Sequence, residues 1–127
     1  MGGPSHGEQT MKIGEVAERT ALSIRSLRHY DELGLVSPSA HSPGGFRLYT
    51  PEDVERLLLI RRMKPLGFSL DRMRDFCRAL DRRADDPAGS AALIAEIEAE
   101  ATERLERLRT HLGYAEEFVE IVSRLRA

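Results

Sequence analysis

Cysteine is nearly absent from this chain: Cys77 is the only one in 127 residues. A single thiol closes no disulfide within the chain, which suits a reducing compartment. It also falls short of the ligand set that a thiolate metal site needs. Tryptophan is missing, and aromatics make up 6% of the residues. Small helical layers are therefore expected, not one large mixed core. No run of about 18 apolar residues occurs, so no membrane span is expected. The opening MGGPSHGEQT has no apolar stretch of the secretory kind and is rich in Gly, Pro and Ser. Residues 1–10 are expected to be a disordered tail, and the protein cytoplasmic.

Catalytic constellations are lacking too. His29 and His41 have no Cys or Ser set beside them as nucleophile with base. The carboxylates are scattered, and no Gly-rich phosphate loop precedes a helix. Cys77 lies next to Phe76 on the apolar side of a helix and reads as a buried structural thiol. The expectation is a non-enzyme with no cofactor and no metal.

Charge is plentiful, at 31% of residues, but the net is only −2. Its distribution says more than its sum. Residues 11–78 hold 12 Lys/Arg against 9 Asp/Glu, whereas residues 79–127 hold 7 Arg against 11 Asp/Glu. A mildly basic first part and an acidic second part suggest two tasks in one chain.

The apolar spacing organises the basic part. Ile13, Val16 and Ala17 predict a short helix over 13–20. Ser23 is placed to cap the next helix, with Ile24 and Leu27 facing inward and Gly34 just past its end. This is a helix, a tight turn and a helix. SPSAHSPGGFRLYT, residues 37–50, is turn-rich and ends in strand formers. It predicts a small hairpin in which Leu35-Val36 pairs with Leu48-Tyr49. In it Arg47 and Tyr49 share the face opposite Phe46 and Leu48. Thr50, Pro51, Glu52 and Asp53 form a helix start. Pro65 and Gly67 break that helix. Ser69 caps another, with Leu70, Met73, Phe76, Cys77 and Leu80 inward.

RRADDPAGS, residues 82–90, reads as a linker. Residues 91–126 contain no Pro. Ile94, Ala101, Leu108, Ala115 and Val122 recur every seven, and Leu105, Leu112 and Val119 fall between them. That is a coiled-coil seam, and a helix with so little intrachain surface to cover it should pair with a second copy. Gly113 is a weak point in it, at about 1 kcal/mol against Ala.

Three groups of residues carry two readings each. Arg25, Arg28, His29 and Glu32 share one face of the second helix, either an ordinary solvated face or one turned toward a major groove. Ser23 and Ser26 near its start can donate to phosphate. Arg47 on the hairpin either decorates a structural element or reaches a nucleic-acid backbone. Arg61, Arg62 and Lys64 either favour a helix C-terminus or touch phosphate.

Together these segments resemble the MerR family of bacterial transcription regulators. The resemblance runs from MKIGEVAERTALSIRSLRHYDELGLVSP through GGFRLYTPEDVERLLLIRRMKPLGFSLDRM, covering residues 11–80 nearly without gaps. It rests on R-x-Y-D/E-x-x-G-L, G-[FY]-R-x-Y and L-G-F-S-L in combination. It implies a mainly α fold: a winged helix-turn-helix over 11–80, a linker over 81–90 and an antiparallel coiled-coil dimerisation helix over 91–127. It implies a homodimer that binds palindromic promoter DNA and distorts it so that RNA polymerase can engage, with specificity resting partly on deformability. Arg28 and Tyr30 match the family's recognition-helix Arg and Tyr, and Arg47 matches its wing arginine. His29 stands where an aromatic is more often seen.

The DNA-facing set is therefore Lys12, Ser23, Arg25, Ser26, Arg28, His29, Tyr30, Arg47, Tyr49, Arg61, Arg62 and Lys64. The dimer set is Ile94, Ala101, Leu105, Leu108, Leu112, Ala115, Val119 and Val122. Family members that sense metals or redox state use cysteines at the linker and beyond the dimer helix, where this chain has none. The expectation is a promoter-binding regulator without a dedicated effector domain. The alternatives are an architectural coiled-coil protein with incidental DNA binding, or a metal-responsive regulator that the single Cys argues against.

Overall fold

The structure is a computed structural model that describes residues 9–127. The tail expected over 1–10 lies outside the described residues except for its last two. The fold is mainly α, with five α-helices and one two-stranded sheet among the described residues. The chain divides into two compact units, one ending at Cys77 and the other running Arg78–Ala127.

In the first unit, α1 (Ile13–Thr20) packs against α2 (Ile24–Glu32) and α3 (Pro51–Met63). Val16, Leu27, Leu57 and Ile60 are fully buried at this junction of helices, and Tyr30 nearly so. Each such side chain contributes about 1.5–3 kcal/mol by leaving water. The turn between α1 and α2 is set by Thr20 and Ala21. The buried Thr20 hydroxyl donates to the Val16 carbonyl at 2.7 Å and accepts from the Leu22 N–H at 3.3 Å. Ala21 then takes a left-handed backbone (φ 58°), a conformation that costs a residue with a Cβ.

Caps fix the starts of the helices as the sequence predicts. Ser23 accepts from the Ser26 N–H at 3.0 Å. Ser69 accepts from the Arg72 N–H at 3.1 Å and opens α4 (Leu70–Asp81). Thr50 and Asp53 form a reciprocal capping box, with Pro51 in the first turn. A 3-10 turn over Lys64–Leu66 and left-handed Gly67 end α3.

The wing differs from expectation. Its strands are β1 (Ala40–His41) and β2 (Arg47–Leu48), antiparallel, with Ala40 opposite Leu48 and His41 opposite Arg47. Leu35 and Val36 do not join the sheet because their N–H groups are already used. Both donate to the Tyr30 carbonyl, at 2.9 and 3.4 Å, and close the end of α2 behind left-handed Gly34. Tyr49 pairs instead with Met11 through two backbone bonds of 2.9 and 2.8 Å. Ile24 also departs from expectation: it is 40% exposed, because it lies in the first turn of α2 while the inward stripe runs through Leu27 and Tyr30.

Strands of two residues cannot hold themselves. The base of the wing is tied to α3 through Asp53 Oδ2. That oxygen accepts from the Thr50 N–H at 2.8 Å, the Ser39 N–H at 3.0 Å and the Ser39 hydroxyl at 2.7 Å.

In the second unit α5 runs Pro87–Arg126, 40 residues or about 60 Å. It starts inside the stretch read as a linker. Pro87 occupies the first turn, where its missing N–H costs nothing, and Asp86 accepts from the Gly89 N–H at 3.1 Å. Leu105, Leu108, Leu112, Val119 and Val122 are exposed along it. So are Tyr114, Phe118, Ile121 and Leu125, outside the predicted seam and spaced four, three and four apart. Among the described residues no helix is long and apolar enough to cross a membrane.

Asp53→Ala should lower unfolding stability by about 1–2 kcal/mol, because it removes a cap and the wing's anchor together. Urea denaturation checks this, and an unchanged midpoint would show that the wing base is held elsewhere.

Candidate nucleic-acid interface

The inward stripe of α2 decides what its other side presents. With Leu27 and Tyr30 packed, Arg25, Arg28 and His29 are exposed and Ser26 is half-buried. An open cleft of about 880 Å³ lies against this face, lined by Arg25, Ser26, Arg28, His29, Tyr30, Glu32, Lys64 and Leu70. Two arginines and a lysine thus face one carboxylate, that of Glu32. Lys64 arrives from the 3-10 turn after α3 and Leu70 from the first turn of α4. Tyr30 is only 3% exposed, so its ring belongs to the core while its edge reaches the cleft. The Ser23 hydroxyl caps α2 and donates to Ser26 Oγ at 3.0 Å, which keeps both hydroxyls at the helix N-terminus.

The wing adds a second basic element beside α2. Arg47 is exposed and forms a two-pronged pair with Asp31: Nη1 donates to Oδ2 at 2.9 Å and Nη2 to Oδ1 at 3.1 Å. Partial burial opposes ionisation of Asp31. The Ser37 hydroxyl and the Arg47 guanidinium outweigh it and hold the carboxyl below its usual range. Lys12 is exposed and stacks over the Phe46 ring, 5.5 Å from its centre.

Besides the Tyr30 ring, two more residues of the DNA-facing set are taken into the fold. Tyr49 is 2% exposed, and its ring is core. Burial pushes its phenol up, the Asp31 carboxylate adds to the rise, Arg47 opposes it and Asp53 adds again, so the group stays neutral. A phenol so enclosed has no surface to offer a phosphate. The expected sharing of a face by Arg47 and Tyr49 fails because the chain leaves the two-residue strand at Leu48 and turns in to pair with Met11. Arg61 turns back as well: its Nη1 donates to the Thr20 carbonyl at 2.7 Å and closes the end of α1. Its neighbour Arg62 is exposed.

Sequence reasoning missed Asp31 and Arg74, and it set Leu70 inward, whereas Leu70 is half-buried and lines the cleft. Arg74 donates to the Leu33 carbonyl at the end of α2 and pairs with Asp71 at 3.3 Å. The Asp31–Arg47 pair and the Arg74–Leu33 bond join residues 16 and 41 apart in the chain, so no helical spacing signals them. Among the described residues no group of three or more His, Cys, Asp or Glu is arranged to hold a metal ion, and Cys77 is buried.

This arrangement can be set beside known proteins. Residues 11–80 match the model of the MerR HTH family of regulatory proteins, and residues 54–113 match the model described as MerR, DNA binding. The chain belongs to the MerR family. It is 33% identical over 111 residues to the transcriptional regulator CueR of Yersinia pestis, spanning 84% of this chain and 80% of that one. It is 40% identical over 84 residues to CueR of Vibrio cholerae, but the match covers 66% of this chain and only 58% of that relative's length. The crystal structure of HiNmlR, a MerR family regulator lacking the sensor domain and bound to promoter DNA, superposes with a TM-score of 0.72. That superposition covers 93% of this chain and 94% of that one at 23% identity, a likeness of fold. As a MerR protein, this chain carries its helix-turn-helix in α1 and α2 and its wing in β1 and β2.

Arg61→Ala should destabilise the MerR helix-turn-helix by about 1.5–3 kcal/mol, since it strands a carbonyl bonded to a charged donor. Arg62→Ala should change stability by less than about 0.5 kcal/mol. Denaturation of both variants checks the assignment, and equal effects would contradict it.

Proposed function

We propose that this protein is a sequence-specific regulator that binds promoter DNA as a homodimer and distorts it to control transcription initiation by RNA polymerase. The observation that carries the reading is the cation-lined face of α2 with the basic wing beside it. A helix inserted into a major groove offers Arg25 and Arg28 to guanine edges or to phosphates. Lys64 and Arg62 suit backbone contacts, which position without reading sequence. Lys12, held over Phe46, and Arg47, held by Asp31, extend the basic surface onto the wing. Family membership supports the same reading.

The second copy follows from α5. A lone helix with nine large apolar side chains exposed between Leu105 and Leu125 has no stable place in water. Pairing along Ile94, Ala101, Leu105, Leu108, Leu112, Ala115, Val119 and Val122 covers a seam in an antiparallel coiled coil. Tyr114, Phe118, Ile121 and Leu125 widen the apolar face beside it. Two copies also give the two-fold symmetry that a palindromic site requires. On this reading the protein works in the cytoplasm, with the DNA-binding part over 11–80 and the dimer helix over 91–127.

The test compares a duplex recovered by mapping bound genomic DNA with a random duplex at physiological salt. The expected preference is about 10³-fold or more. Arg28→Ala should cost about 1–3 kcal/mol on the recovered duplex. Leu112→Asp should sediment as a monomer and lose the preference. Equal affinity of the unaltered protein for both duplexes would sink the regulator reading in favour of an architectural one.

A further inference from the structure

The wing arginine already holds an anion. Arg47 on β2 grips both oxygens of Asp31 on α2, 16 residues away in sequence. A planar guanidinium laid along a planar carboxylate is the same fork that arginine lays on a phosphate. The pair stands at the surface, with 52% of the Arg47 side chain and 24% of the Asp31 side chain exposed, so a phosphate can reach it.

Asp31 is fixed before any ligand arrives. It lies in the last turn of α2, its carbonyl accepts from the Gly34 N–H at 3.0 Å, and its carboxylate is bonded by Ser37 as well as by Arg47. The carboxylate therefore stays on the wing side of α2 whether or not Arg47 leaves it.

We propose that Asp31 is a specificity-determining residue: its carboxylate occupies the wing arginine as an internal substitute for phosphate and withholds Arg47 from DNA that does not seat α2. This rests on the reading that the α2 face and the wing meet duplex DNA. On a random duplex, Arg47 would exchange one charge-assisted fork for another and leave an uncompensated carboxylate beside the phosphates. The exchange gains little. On a duplex that seats α2 by its bases, the phosphate is already positioned, so the exchange costs no further ordering. The pair thus subtracts more from indiscriminate binding than from specific binding.

Asp31→Asn keeps the shape and removes the charge. The measurement is affinity against salt, for the duplex recovered from genomic DNA and for a random duplex of equal length. In Asp31→Asn, binding to the random duplex should tighten, and its slope of log K against log salt should steepen by about 0.9, one added phosphate contact. Affinity for the recovered duplex should rise less, so the ratio of the two falls. Adding Arg47→Ala should abolish the steepening, and Asp31→Glu should restore the unaltered ratio. If Asp31→Asn weakens both duplexes alike with the slope unchanged, the pair is only a brace and the proposal is overturned. Absence of duplex binding by the unaltered protein would overturn the DNA reading itself, and this proposal with it.

Discussion

Everything that this protein offers its surroundings depends on the burial of one side of α2. Leu27 and Tyr30 lie inside the helical layer that α1 forms with α2 and α3. A helix places residues three and four apart on one face, so seating 27 and 30 sends Arg25, Arg28 and His29 outward. The rotation of α2 is thereby set by apolar packing and not by any contact the cations make. The turn before it is equally constrained: Thr20 spends its hydroxyl on the backbone, and Arg61 closes the same turn from α3. The core thus consumes one arginine in order to present others.

The wing is a dependent element. Two-residue strands gain too little to persist alone, so their position is inherited from three ties. Asp53 holds the base, Met11 pairs with Tyr49, and Asp31 grips Arg47. The last of these links the wing directly to α2.

Much of this was legible in the residues. Ser23, Thr50 and Ser69 announce helix starts because a short side-chain oxygen before an apolar period has one dominant use, to cap. The seven-residue recurrence from Ile94 to Val122 announces a long helix because nothing else sustains that period. The rest was hidden for identifiable reasons. Ala21 takes a left-handed backbone that glycine usually signals. Pro87 looks like the end of a linker, yet it suits the first turn of a helix. Leu35 and Val36 look like a strand, but the end of α2 claims their N–H groups first. Arg61 and Arg62 are adjacent and chemically alike, and only the position of the Thr20 carbonyl separates a structural cation from an exposed one. Tyr49 follows a basic strand, and only its isolated bridge to Met11 turns it inward.

The central claim is that the outward face of α2 and the wing form one DNA-contacting surface. Backbone amide NMR of the protein, titrated with the duplex recovered from genomic DNA, tests it most directly. The account predicts that the largest shift changes fall on residues 23–30 and 40–48 and saturate together. Changes concentrated along α5, with residues 23–30 unmoved, would contradict it.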